Sequence, residues 1–163
     1  MSKNLDESGL KSIVSEYDLF FIDIWGVVHN GIKLYENAVK VLEELSNNKK
    51  KFILLTNAPR PNLTVINTLK KMGLNNFSDT VFTSGEASKR YLLENFNNKK
   101  FFHLGPQRDF DLFKTFEDNK VLCIDESDYL LCSGLFEEYE DDLGYYKNLL
   151  SKHITKIMIC TNP

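Results

Sequence analysis

Residues 18–31, "DLFFIDIWGVVHNG", decide how the rest of the chain is read. An apolar, aromatic-rich run with the composition of a strand ends on one carboxylate, Asp23. Ile24 and Trp25 follow, then a glycine, two valines and a polar His-Asn-Gly turn. Open parallel sheets bind ligands beyond the carboxyl ends of their strands, and an acid at that position is placed to meet one.

Two more runs repeat the pattern. "KFILLTN" (51–57) and "TVFTS" (80–84) are apolar, partly β-branched, and end on small polar residues, Thr56-Asn57 and Ser84-Gly85. Helical patterns separate them. "ENAVKVLEELSNN" (36–48) sets Ala38, Val41, Leu42 and Leu45 on one face. "PNLTVINTLKKMG" (61–73) has Pro61 in its first turn and stops at Gly73, and "GEASKRYLLENF" (85–96) continues the series. Apolar strands joined by helices predict a parallel sheet covered on both faces.

A second series begins near Lys99. It runs through "KKFFHLG", helix-like "QRDFDLFKTF", "KVLCID", "YLLCSG", a helix around 142–150, and "TKIMICTNP". The "NNKK" at 97–100 reads as a hinge, so the expected division is an α/β unit at 1–98 and a smaller α/β unit at 99–163. No repeat of fixed period and no low-complexity segment is visible.

Composition narrows the function classes. A formal charge of −3 with lysines in small scattered groups argues against nucleic acid or an acidic membrane as partner. No apolar run approaches the ~20 residues of a membrane span, and the polar N-terminus does not read as a signal peptide, so the expectation is a cytoplasmic protein. Cys123, Cys132 and Cys160 lack close CxxC pairs and read as reduced thiols packed within strands.

Chemistry gathers at three strand ends. Asp23 can attack phosphorus as a nucleophile. Thr56 can hold a phosphate oxygen, helped by N–H groups at the start of the next helix. Mg²⁺ suits such an oxygen-rich site, completed by phosphate and water. Neither G-x-x-x-x-G-K-[ST] nor G-x-G-x-x-G occurs after a strand, which argues against nucleotide binding of those kinds. For any one of these residues taken alone, a strand end or a turn is the simpler reading.

"FIDIWGVVHNG", "ILLTNAPR" and "VFTSGEA" together resemble the opening motifs of the haloacid dehalogenase-like hydrolases. More narrowly they resemble class IIA, the branch of p-nitrophenyl phosphatases and of sugar- and nucleotide-phosphate phosphatases. "YLLCSG" and "CTNP" are similar to stretches of that branch's inserted cap. The resemblance implies a Rossmann-like core with an α/β cap inserted after the second motif. It implies Asp23 as the nucleophile that forms an aspartyl-phosphate, and Mg²⁺ held by Asp23 and the backbone carbonyl of Trp25. Thr56 and Asn57 would bind the transferring phosphoryl group of a small phosphate ester, next to Ser84 and Gly85. A cap-mediated homodimer is expected on the same ground.

Two departures from the family pattern stand out. Phosphatases of the family carry a second acid two residues after the nucleophile; here that position is Trp25. Indole cannot exchange a proton at neutral pH, so a general acid–base contribution of roughly 10²- to 10⁴-fold is missing. His29 is a candidate replacement, weighed against a turn histidine without a catalytic role, and Trp25 itself reads as a ring packing the site floor or meeting the cap. Second, the family's later lysine and aspartates lie beyond the cap. The expectation is therefore an incomplete core, a truncated and inactive portion, with an open edge beside "DLFFIDI". The acidic "CIDESD" (123–128) and "EEYEDD" (137–142) read as structural, the latter as a helix entry. Arg60, His103 and Arg108 are polar candidates for specificity. Two rival functions stay open: a phosphate-ester-binding protein without catalysis, and a dehalogenase, whose halide leaves without a proton.

Overall fold

The computed structural model describes residues 9–153 and 155–162. Strands β1 (Leu19–Asp23), β2 (Lys51–Thr56) and β3 (Val81–Thr83) form one sheet in the order β1-β2-β3. Helix α1 (Glu36–Asn47) follows β1, α2 (Asn62–Lys71) follows β2, and α3 (Ser84–Asn95) follows β3. A second sheet holds β4 (Phe101–Leu104), β5 (Lys120–Val121), β6 (Tyr129–Cys132) and β7 (Ile157–Cys160) in the order β5-β4-β6-β7, with α4 (Leu143–Ser151) leading into β7. Every pairing in the second sheet is parallel.

One sheet stops and the next begins between α3 and β4. Packing divides the chain differently. One compact unit contains the described residues up to Leu55 with Leu69–Val81; the other contains Thr56–Thr68 and the chain from Phe82 onward. Helix α3, assigned by the sequence division to the first unit, belongs to the second because Leu92 is buried in one cluster with Phe101, Leu112, Phe113, Tyr129 and Leu131.

In the first unit, residues opposite one another in a parallel pair share a face. Phe20 and Ile22 of β1 therefore lie with Phe52 and Leu54 of β2, and this side is covered, with Phe52 and Leu54 buried. Leu42 and Leu45 of α1 are buried as its periodicity predicts, whereas Val41 is exposed. Leu19, Phe21 and Asp23 lie with Lys51, Ile53 and Leu55 on the opposite face. Phe21 is 65% exposed there, and Leu19 and Leu55 are exposed too. The sheet was expected to be covered on both faces; among the described residues it is covered on one. Strand β1 is the edge, as the incomplete core implies.

The second unit has a closed core. Phe101 is fully buried, and its ring lies 5.4 Å from Phe113 and 5.8 Å from Tyr129. Each such pair adds about 0.5–1.5 kcal/mol beyond area burial. "KVLCID" supplies a two-residue strand instead of a full one, because only Lys120 and Val121 find partners on β4, and Leu122 turns out to 91% exposure. "QRDFDLFKTF" breaks into 3-10 turns at Gln107–Leu112 and Lys114–Asn119 around a non-helical Phe113, which puts consecutive Leu112 and Phe113 into the core. Asp142 caps α4 by accepting the Tyr145 N–H at 2.9 Å, so the acidic run is a helix entry. Cys132 and Cys160 end β6 and β7, while Cys123 lies past β5; Cys123 and Cys160 are exposed rather than packed.

Candidate active site

The first unit holds Asp23 and Trp25. Asp23 is exposed at the carboxyl end of β1, with Leu55, the residue before Thr56, as its register partner. The chain then winds tightly round one carbonyl. Ile24 O accepts from Val28 N–H at 2.8 Å and from Val27 and His29 N–H at 3.3 Å, and Gly26 N–H returns to His29 O at 2.8 Å. Gly26 adopts φ 78°, a left-handed conformation that a residue with a Cβ takes only with strain. Asn30 Oδ1 then accepts from Ile32 and Lys33 N–H at 3.0 and 2.9 Å, closing the polar turn.

His29 braces this loop. It is buried, and its Nδ1 accepts the Gly31 N–H at 2.8 Å, so that nitrogen carries no proton and is not free to take one. Burial holds its pKa below the usual histidine value, against the raising charge of Asp23. A turn histidine is what the geometry provides. Trp25 was expected to pack the site floor or meet the cap; its ring is 66% exposed, so it forms no packed floor in this unit.

In the second unit Thr56, Asn57, Ser84 and Gly85 are brought together. Thr56 is buried, and its hydroxyl accepts the Ala58 N–H at 3.2 Å, leaving its own hydrogen to give. Asn57 is exposed and donates from Nδ2 to Asn162 Oδ1 at 2.9 Å. Ser84 Oγ lies 2.7 Å from Asn57 O and 3.1 Å from Ala58 O, and also meets Thr161 O. A hydroxyl has one hydrogen, and here three carbonyls compete for it. Ser84 thus ties the Asn57–Ala58 loop to the end of β7.

Gly85 is required by close approach. A Cβ there would stand 2.3 Å from Arg60 N and 2.6 Å from Arg60 O and Pro59 C. The Gly85 N–H donates to Ala58 O at 3.1 Å. Thr83 caps α3 by accepting the Glu86 N–H at 2.9 Å, and its hydroxyl donates to Arg60 O at 2.5 Å. Residues 57–60 are thereby folded against the start of α3.

The specificity candidates meet three different fates. Arg60 forms a clamp with Asp111, its Nη2 at 3.0 Å and its Nε at 3.1 Å from Oδ2, while Thr64 donates to the same oxygen at 2.7 Å. His103 is 6% exposed, with Nε2 2.9 Å from Ser133 Oγ. Burial, then the charge of Lys120, pushes its pKa down to about 4. Asp109, buried beside Ser133, has its carboxyl pKa raised by burial, partly offset by the Ser133 hydrogen bond and by Arg108 and Arg60. Arg108 is the most exposed of the three, paired with Glu137 at 3.1 Å. Sequence reasoning missed Asn162 and Thr161 as partners of Asn57 and Ser84. The quoted "CTNP" held both residues, but no local signal places them there.

Comparison with known proteins decides the family. The haloacid dehalogenase-like hydrolase profile matches residues 20–117, more than half of the chain. The chain belongs to that family. No curated protein matches it. Among solved structures, a haloacid dehalogenase-like hydrolase from Brucella suis is similar at 29% identity with a TM-score of 0.81, over 94% of this chain and 59% of that one. A 4-nitrophenylphosphatase from Thermotoga maritima is 26% identical with a TM-score of 0.65, over 91% of this chain and 56% of that one. A glycerol phosphate phosphatase from Mycobacterium tuberculosis, solved with magnesium, shares the fold at 18% identity and a TM-score of 0.65, over 92% and 45%. The chain thus spans between 45% and 59% of the length of these hydrolases. The α/β haloacid dehalogenase-like fold and the class IIA resemblance stand on these likenesses. No helix among the described residues is long and apolar enough to cross a membrane.

The residues present can be tested against Mg²⁺. Among the described residues no three His, Cys, Asp or Glu cluster as a metal site. Asp23, exposed at its strand end, offers a carboxylate of the kind that suits an ion keeping water and phosphate for most of its octahedron.

Proposed function

We propose that this haloacid dehalogenase-like hydrolase, in a protein that carries the remaining core strands, is a Mg²⁺-dependent phosphatase of small phosphate esters. The family match over residues 20–117, which contains Asp23, Thr56, Asn57, Ser84 and Gly85, carries the reading. Asp23, exposed at its strand end, is the nucleophile: a carboxylate oxygen bonds phosphorus as the ester oxygen leaves, giving an aspartyl-phosphate that water then hydrolyses. Thr56 donates its free hydroxyl hydrogen to a phosphoryl oxygen, and Asn57 stands beside it with its side chain steadied by Asn162. Ser84 and Gly85 hold the loop in shape. Asp23 and the Trp25 carbonyl would hold Mg²⁺, which supplies charge neutralisation at the phosphoryl oxygens. The setting proposed is the cytoplasm, with a homodimer as the assembly and neither nucleic acid nor membrane as partner.

Asp23→Asn in the full-length protein tests this with p-nitrophenyl phosphate as probe. Phosphate release is expected to fall to background, and undiminished turnover overturns the reading. Trp25 favours one rival, a phosphate-ester-binding protein without catalysis, since the family's second acid is absent at that place. That rival predicts saturable binding of the ester with no phosphate released. A dehalogenase, the remaining alternative, would release halide from a haloacid.

A further inference from the structure

We propose that Cys132 and Cys160 form a reversible disulfide, a thiol switch on the strand whose end holds Asn57. The two residues are register partners at the ends of β6 and β7. Paired residues of parallel strands project on the same face, and neighbouring strands lie about 4.8 Å apart, inside the Cα separation that disulfides span. Bridging needs the two Cβ atoms to close to about 3.5–4.5 Å. Both positions are the last of their strands, so the movement is taken up at the strand ends and in the Thr161 segment that follows. A bond closed under such strain is readily reduced, which makes it reversible.

The two thiols differ in ways that order the steps. Cys160 is exposed. Cys132 is half-buried, with its S–H directed to Gly134 O at 3.7 Å. On its other side β4 places apolar Leu104 as register partner, so Cys160 is the ionisable neighbour. Burial, then the neighbouring Cys160, raises the Cys132 pKa to about 11. With glutathione disulfide as oxidant, the Cys160 thiolate attacks one glutathione sulfur and expels the first glutathione thiolate. Cys132 then loses its proton to solvent and attacks the Cys160 sulfur, expelling the second. Two cysteine thiols become one disulfide, and one glutathione disulfide becomes two glutathione thiols.

The bond would act on the neighbouring loop directly. Thr161, next after Cys160, is fully buried, donates its N–H to Cys132 O at 2.8 Å, and offers its own carbonyl to Ser84. Asn162 takes the Asn57 amide. Drawing Cys160 toward Cys132 moves this segment and the partners it holds.

The test incubates the reduced chain with glutathione disulfide and maps the linked peptides by mass spectrometry. Wild type and Cys123→Ser are expected to yield the Cys132–Cys160 peptide pair, with the loss of two hydrogens. Cys132→Ser should stop at a glutathione adduct on Cys160. Closure should speed up about tenfold per pH unit from neutrality toward the Cys132 pKa. Adducts alone in wild type, or links only through Cys123, overturn the pair. Side-chain amide resonances report the coupling: Asn57 should shift on oxidation of wild type and stay put in Cys160→Ser. A linked pair with an unmoved Asn57 overturns the switch.

Discussion

The bare face of the first sheet and the sealed core of the second present similar residues to opposite surroundings. Phe21 and Phe101 each sit on a parallel strand, yet one is 65% exposed and the other fully buried. Both strands are aromatic-rich runs in the sequence. The difference lies in what covers them: Phe101 meets Phe113, Phe116 and Tyr129, all of its own unit, whereas β1 stands at an edge with one face open. Apolar character thus marks a strand without saying which partner completes it.

The largest expected effect separates the two regions outright. Phe101→Ala should cost about 3–5 kcal/mol by opening a cavity among rings that cannot collapse into it, while Phe21→Ala should stay within about 0.5 kcal/mol. Urea denaturation of both variants measures this. Equal losses would mean that the exposed face is covered in solution, and the comparison would fail.

Next comes a pH dependence confined to the second unit. The folded pKa of His103, about 4, lies below the unfolded value near 6.5. Between these values the unfolded chain binds more protons than the folded one, so stability falls as pH drops through the window. The full effect is about 3 kcal/mol. Asp109, with its folded pKa raised, binds more protons folded than unfolded above pH ~4 and so opposes the trend. His103→Gln retains an Nε2 donor for Ser133 and should flatten the profile between pH 6.5 and 4. An unchanged profile would assign the dependence to other groups.

Gly85→Ala should cost about 1–3 kcal/mol, since the new methyl meets main-chain atoms of Pro59 and Arg60 rather than a side chain that can swing away. Thermal melts give the loss. In the full-length protein a rise in KM for p-nitrophenyl phosphate should accompany it, because residues 57–60 must shift.

Strand positions and the three strand ends were legible because alternation, turn residues and caps are local signals. Thr56-Asn57 and Ser84-Gly85 do gather in one place. Their division of labour was not legible. Ser84 reads in sequence as one more phosphate donor, but its hydroxyl is occupied by carbonyls, one of them 77 residues away. His29 reads as a possible base until Gly31 N–H is found on its Nδ1. Which acceptor takes a hydrogen depends on tertiary neighbours that no spacing reveals. The short β5 is of the same kind: "KVLCID" has strand composition throughout, but only two of its residues reach a partner.

The smallest expected effect concerns the cap of α3, where local and tertiary signals coincide. Thr83 accepts the Glu86 N–H, as a helix start requires, and also donates to Arg60 O across the loop. Thr83→Ser keeps both hydrogen bonds and loses only a methyl, whereas Thr83→Ala loses both and should cost about 1–2 kcal/mol. Were the residue merely a cap, Thr83→Ala would fray α3 and leave residues 57–60 in place. Because it also holds Arg60, amide exchange in Thr83→Ala should rise at Ala58 as well as at Glu86, and protection retained at Ala58 would reduce Thr83 to a cap alone.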